Sequence, residues 1–217
     1  MPTYTNLDLV KQCDKFPYPH TEPEVYAREV STYFKFHVEG CDSVLGFMLP
    51  SVVQGFQWPD FWSVDYEQKT VLLRGANFEE RNENMGWRDE LYPVYGGGIA
   101  SGDTPFESIL REATEEASFS KDYVSKNAKC CGVVSYFDVR DERAAPGAEI
   151  GLLQPECIYV YDLEVPEDFV PRPEDMEAED FRLWGIPELQ MALRNGEFKT
   201  NCALVLLDFF IRYSIVI

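Results

Sequence analysis

The chain has 217 residues, 45% apolar and 14% aromatic, with a formal net charge of −19. That length supports one large domain or two small ones around a sizeable core, and the aromatic content excludes a disordered chain. The acidic balance argues against non-specific nucleic-acid or anionic-membrane binding, both of which need basic patches, and suits a soluble protein whose densest acidic cluster is neutralised by metal.

The opening MPTYTNLDLV has neither a basic start nor an apolar core and does not read as a signal peptide. Asn6 to Cys13 reads as a short amphipathic helix that ends before Pro17 and Pro19. Glu24 to Val38 is helix or strand by pattern, stopped at Gly40; Val44 to Phe56 reads as a strand or buried segment followed by a short helix. Trp62 to Leu73 has the form of a hairpin, two β-rich pieces around a polar turn. Arg74 to Val94 is polar, a helix and loop with a domain boundary.

Beyond the central Gly97–Phe119 stretch, Asp122 to Lys129 extends or follows a helix. Cys131 to Val139 and Gln154 to Leu163 are strands, and the segments 140–150 and 166–180 are polar loops. Phe181 to Trp184 is a short strand, Pro187 to Asn195 a helix closed by Gly196, and Asn201 to Tyr213 a last, buried helix too short to span a bilayer. This order predicts a mixed α/β (α+β) domain. The six cysteines have no metal-type spacing, so reduced, mostly buried thiols in a cytoplasmic protein are expected.

Chemistry concentrates in GGIASGDTPFESILREATEEASF, residues 97–119. Thr104 or Asp103 can cap a helix whose first turn holds Pro105. Glu112, Glu115 and Glu116 then fall at i, i+3 and i+4 and share one face, while Ile109, Ala113 and Ala117 form another that can pack on a sheet. Neighbouring carboxylates repel by a few tenths of a kcal/mol per pair; a hard divalent ion with oxygen ligands offsets that. The glycines at 96–98 allow close backbone approach to a ligand. By itself, E-x-x-E-E is also the pattern of a solvated acidic face beside Arg111.

Gly97, Asp103, Arg111, Glu112, Ala113, Glu115, Glu116, Ser118 and Phe119 together resemble the Nudix box, G-x5-E-x7-R-E-U-x-E-E-x-G-U, where U is apolar. Asp103 replaces a glutamate and Ser118 a glycine. Further stretches, among them LGFMLPSVV, GWRDELYPVYG, YVYDLEVPEDFVPRP and LWGIPELQMALRNGEFKTNCALVLLDFFIR, are similar to one Nudix group, the thiamine pyrophosphokinase-related hydrolases. That group has its own N-terminal domain, which corresponds here to 1–95, with the Nudix domain at 96–217. Against the group's pattern the chain is shortened between Tyr95 and Gly97, so the Nudix sheet is expected to lack its first strands.

The resemblance implies a Nudix-type mixed sheet with the box helix and C-terminal helices, and a Mg²⁺- or Mn²⁺-dependent diphosphatase acting on a small-molecule diphosphate. Thiamine diphosphate and its oxidised analogues are the implied substrates. Gly97, Glu112, Glu115 and Glu116 would hold metal; Arg111, Glu115, Glu116 and Glu177 would be catalytic, with Arg111 orienting carboxylates and Glu177 approaching from a later loop. Glu179 and Glu156 are weaker candidates for that fourth carboxylate. Trp87 and Arg88 are better read as packing than as a ring stack, and His20 and His37 as structural or exposed. Two other readings remain open: a Nudix-fold binding module without catalysis, and a hydrolase of a nucleoside diphosphate derivative such as ADP-ribose. Nothing in the sequence fixes the oligomeric state.

Overall fold

A computed structural model of the chain describes residues 3–75, 99, 103–141, 150–172 and 181–215. They form an α+β fold of helices with one mixed and one antiparallel sheet. The chain divides into two compact units, each discontinuous in sequence. One combines Met1–Cys13, Gly96–Tyr136 and Glu156–Ile217; the other combines Asp14–Tyr95 and Phe137–Pro155.

The second unit, here the sheet unit, begins with helix α2 (Pro23–Val30), since α1 belongs to the other unit. Pro23 starts α2, where its missing N–H costs nothing. Four strands follow: β1 (Phe34–Val38), β2 (Gly46–Met48), β3 (Trp62–Asp65) and β4 (Thr70–Leu73), with helix α3 (Pro50–Gly55) between β2 and β3. Their order is β2-β1-β4-β3, with β1 and β4 parallel and both outer pairs antiparallel. The expected hairpin is the β3–β4 pair, registered Val64 to Val71. Asp65 closes its turn by accepting from the N–H groups of Glu67 and Gln68, both at 2.9 Å. Phe34, Met48, Val53, Trp62, Val71 and Leu73 make the core of this sheet. A second cluster gathers Phe16, Val30, Phe137 and Leu153.

The first unit, here the box unit, holds helices α1 (Asn6–Cys13), α4 (Pro105–Ala117), α5 (Lys121–Asn127), α6 (Ile186–Asn195) and α7 (Thr200–Arg212). It also holds most of a two-stranded ribbon, β5 (Lys129–Val139) with β6 (Leu153–Asp162). The mixed sheet therefore lies in the sheet unit, and among the described residues the box unit has only the ribbon. Leu9 of α1 packs with Leu193 of α6 and Ala203, Leu207 and Phe210 of α7. The Tyr4 N–H donates to the Arg194 carbonyl at 2.8 Å, satisfying a group at the end of α6. Gly196 ends that helix at φ +70°, with the Tyr4 ring lying over it.

Three expectations change. Phe181 to Trp184 forms no strand, since no ladder partner lies beside it among the described residues; Leu183 is 97% exposed, and Arg182 instead lays its guanidinium 4.4 Å from the Trp184 ring centre. Only Cys13 is a buried cysteine; Cys130, Cys157 and Cys202 are exposed, the first two where ribbon side chains alternate outward, and none of the six is in a disulfide. The last helix is buried on one face only, with Phe210 inside and Ile211 74% exposed. No helix among the described residues is long and apolar enough to cross a membrane.

Arg212 of α7 ties the last helix to the ribbon. Its Nη2 lies 2.9 Å from Asp162 Oδ1, its Nη1 bonds Asp162 Oδ2, and its Nε lies 2.7 Å from Asp208. The Tyr213 hydroxyl adds a donor to Asp162 at 2.9 Å. The Arg212 hydrogen bonds hold the Asp162 carboxyl down to about 2.

This packing can be tested at two points. Gly196→Ala, which places a Cβ 2.6 Å from the Tyr4 ring in a left-handed backbone, should lower stability by about 1–3 kcal/mol, read as a lower Tm. Because Asp162 is more acidic folded than its ordinary 3.8, its contribution is complete above pH ~4 and lost as pH falls toward ~2. The stability difference between the parent and Asp162→Asn, from urea midpoints, should shrink over that window and stay constant from pH 5 to 7.

Candidate functional site

Both ends of α4 are fixed by its own sequence. Thr104 Oγ1 accepts the Glu107 N–H at 3.2 Å, and Glu107 Oε2 accepts the Thr104 N–H at 2.8 Å, a reciprocal capping box with Pro105 in the first turn. The Thr104 backbone N–H, then its hydroxyl, holds the Glu107 carboxyl below the ordinary range. At the other end Ser118 takes a left-handed conformation, φ +58° and ψ +28°. Its N–H donates to the Thr114 carbonyl at 3.0 Å and the Phe119 N–H to that of Ala113 at 3.1 Å.

Glycine adopts this left-handed turn freely, whereas a side chain costs about 1 kcal/mol there. That is a physical reason for glycine at this point of the box pattern. Ser118 offsets the strain through its hydroxyl, which donates to the Arg172 carbonyl. The Arg172 N–H in turn reaches the Ala117 carbonyl at 3.4 Å. The end of α4 is thus bound to the segment that follows β6.

Between these caps, Arg111 Nη1 lies 2.8 Å from Glu112 Oε1 and 3.2 Å from Glu115 Oε2. Both carboxylates, Glu112 first, raise the guanidinium further above its already high value. Glu112 is the more enclosed partner, its side chain 19% exposed against 51% for Glu115. Exposed pairs of this kind add only tenths of a kcal/mol to stability; their effect is to set the directions of two carboxylates. Glu116, half-buried, lies one turn from Glu112 on the same face.

The structure therefore brings Arg111, Glu112, Glu115 and Glu116 onto one capped helix. Gly97, the proposed carbonyl ligand, and Glu177, with its neighbour Glu179, lie outside the described residues, as do Trp87 and Arg88. An all-oxygen carboxylate set suits a hard cation such as Mg²⁺ or Mn²⁺ in kind. Among the described residues, however, no group of three or more His, Cys, Asp or Glu side chains converges closely enough to hold a metal ion. The donor chemistry fits in kind, but the described residues by themselves do not assemble a metal site.

Glu156 is engaged elsewhere. It accepts a short hydrogen bond from the Tyr136 hydroxyl across the ribbon. Burial, and then Glu156 itself, push that phenol above its ordinary range. Asp103 is exposed just before the cap, His20 is exposed, and His37 is half-buried in β1. Sequence reasoning does not reach the Arg172 carbonyl that receives Ser118, because a backbone acceptor leaves no mark in residue identity. It also misses Phe169, which stacks on Phe119 with ring centres 4.2 Å apart, because the acidic, Pro-rich surroundings of Phe169 read as loop.

No family model matches the chain. It is 33% identical over 128 residues to Nudix hydrolase 24, chloroplastic, and 32% identical over 154 residues to Nudix hydrolase 20, chloroplastic, both of Arabidopsis thaliana. These matches cover 58% and 70% of this chain and 32% and 38% of the relatives. An uncharacterised protein of Saccharomyces cerevisiae is 37% identical over 132 residues, covering 60% of this chain and 39% of its own length. The chain spans roughly a third to two fifths of the length of these curated relatives. The two named matches support a relationship to the Nudix hydrolases.

The turn that ends α4 can be tested directly. Ser118→Ala keeps the strain and loses the bond to Arg172, so it should cost about 1 kcal/mol and lower Tm by about 2–4 °C. Ser118→Gly loses both strain and bond and should remain near the parent.

Proposed function

We propose that this chain carries the catalytic helix of a Mg²⁺- or Mn²⁺-dependent Nudix hydrolase that attacks a diphosphate with water. The proposed substrate is thiamine diphosphate or an oxidised analogue of it. The observation that carries the reading is Arg111 bridging Glu112 and Glu115 on a helix capped at both ends. The similarity to two proteins named Nudix hydrolase supports it independently. In this reading 1–95 is an accessory domain and 96–217 the hydrolase domain.

Glu112, Glu115 and Glu116 would hold the ion, with the Gly97 carbonyl as a further ligand. When bound, such an ion stabilises charge on the phosphoryl oxygens and lowers the pKa of its water. Arg111 holds two of the carboxylates in a fixed direction, so fewer rotamers are lost when the ion binds. Glu177, or one of the helix carboxylates, would accept the proton of the attacking water.

A second reading, a binding module without turnover, is favoured by one observation: among the described residues, no three carboxylates converge closely enough to hold a metal ion. Hydrolysis of a nucleoside diphosphate derivative such as ADP-ribose would draw on the same helix, and a substrate panel separates it from the thiamine reading.

Phosphate release from thiamine diphosphate and oxothiamine diphosphate, and cleavage of ADP-ribose, should be followed with Mg²⁺ or Mn²⁺. The chain should turn over at least one of them, and Glu116→Gln should reduce turnover by about 100-fold or more while unfolding as the parent does. Equal turnover by the variant removes the assignment of the helix. Silence from a cooperatively unfolding chain that Mg²⁺ still stabilises selects the binding module.

A further inference from the structure

The ribbon of β5 and β6 has two outer edges, and the chain guards them unequally. Tyr136 bonds Glu156 across the ribbon, and the Arg140 N–H donates to the Leu152 carbonyl at 3.0 Å. Both contacts fit one register. In an antiparallel ladder, alternate residues turn their backbone groups toward the neighbouring strand and away from it. Even-numbered residues of β5 therefore bond β6, and odd-numbered ones face outward. Phe137 shows this: its carbonyl accepts from the N–H groups of Lys15 and Phe16 at 3.1 and 2.9 Å, and its own N–H donates to Asp14 at 2.9 Å. Ser135 and Val133 face the same way. Among the described residues, no strand pairs with them on that side.

The outer edge of β6 is blunted. Pro155 falls at an outward position and has no N–H to offer, while Glu156 and Asp162 make the strand acidic. β5 has neither device. Residues 130–137 contain no charge and no proline, and Cys130, Gly132, Val133 and Ser135 are exposed. Gly132, at φ +120°, interrupts the regular backbone, which leaves Val133 to Phe137 as the regular part of this edge. An uncharged edge is a ready template for another strand, and a two-stranded ribbon, marginal alone, gains most from one.

Charge selects the occupant. At a net charge of −19, two copies repel over most of their surfaces, and approach is least opposed where carboxylates are absent. The uncharged stretch of β5 is such a place, and a second β5 meets it without opposing like charges. The strand also ends in opposite charges, Lys129 and Asp138, which antiparallel pairing sets toward each other. Such a pair closes about a two-fold axis, so each copy occupies the other's free edge and no open chain of molecules grows.

We propose that the outer edge of β5 is a self-association surface that joins two copies antiparallel into one four-stranded sheet. Centred on Val134, Val133 of one copy lies opposite Ser135 of the other. Each such pair exchanges both of its backbone hydrogen bonds. The regular edge is short, so the dimer is weak and reversible.

The whole chain should be followed by sedimentation velocity from micromolar to near-millimolar concentration, where a monomer–dimer equilibrium is expected. Ser135→Pro removes an outward N–H and leaves the ladder to β6 intact, and Val133→Glu adds a carboxylate to the edge of each copy. Each should weaken the dimer by about tenfold or more while unfolding as the parent does. Added NaCl should tighten the parent dimer, because screening relieves the repulsion between two acidic chains. A parent that stays monomeric, a dimer that both variants keep, or one that salt loosens overturns the proposal. Hydrogen exchange adds a second readout: the Val133 and Ser135 amides should become protected only as concentration rises. Protection of both in the monomer means that the chain covers its own edge, and overturns the proposal as well. If Ser135→Pro does not unfold cooperatively, Val133→Glu decides alone.

Discussion

Like charges held on one helix face set the terms for the box unit. Glu112, Glu115 and Glu116 lie within a single turn of α4, where each neighbouring pair repels by tenths of a kcal/mol. A free peptide would relieve this by fraying, since first and last turns are the least supported. Here fraying is opposed from outside the charged stretch, by the Thr104–Glu107 capping box and by the Ser118 turn. Arg111 relieves part of the repulsion from within while fixing two of the three carboxylates. The helix thereby keeps an acidic face ordered without using that face for its own stability.

Ser118 shows how a departure from a pattern is absorbed. Glycine is the expected residue at a left-handed helix end because it has no Cβ to strain. Serine accepts the strain and uses its hydroxyl to bind the Arg172 carbonyl, so the helix end is cross-linked to the chain after β6. A glycine would make the turn without that tie. The same region carries the Phe119–Phe169 stack, so the substitution and the stack belong to one local arrangement.

Much of this is legible in the sequence because the signals are local. Thr104, Pro105 and the spacing of the glutamates are enough to define α4, and Gly196 marks the end of α6. The β3–β4 hairpin follows from two β-rich pieces around a polar turn. Phe181 to Trp184 has the composition of a strand and forms none, because a β-rich tetrapeptide becomes a strand only where another strand offers hydrogen bonds. The outward-facing cysteines defy expectation for a related reason: in a two-stranded ribbon, alternate side chains have nothing to pack against. The packing of α1 on α6 and α7, through Leu9, Leu193 and Phe210, is long-range. No periodicity within eight residues of α1 could announce its partner.

That packing bears on the order in which the chain can fold as it is made. Leu9 and Tyr4 leave the ribosome well before the groups that receive them, Leu193 and the Arg194 carbonyl, which come some 180 residues later. At roughly 5–20 residues per second, α1 waits on the order of ten seconds or more without its core. The sheet unit can form its β1–β4 pairing well before then. Nascent chains should therefore pass through a stage in which the sheet unit is structured while α1 remains loose, its apolar side open to chaperones.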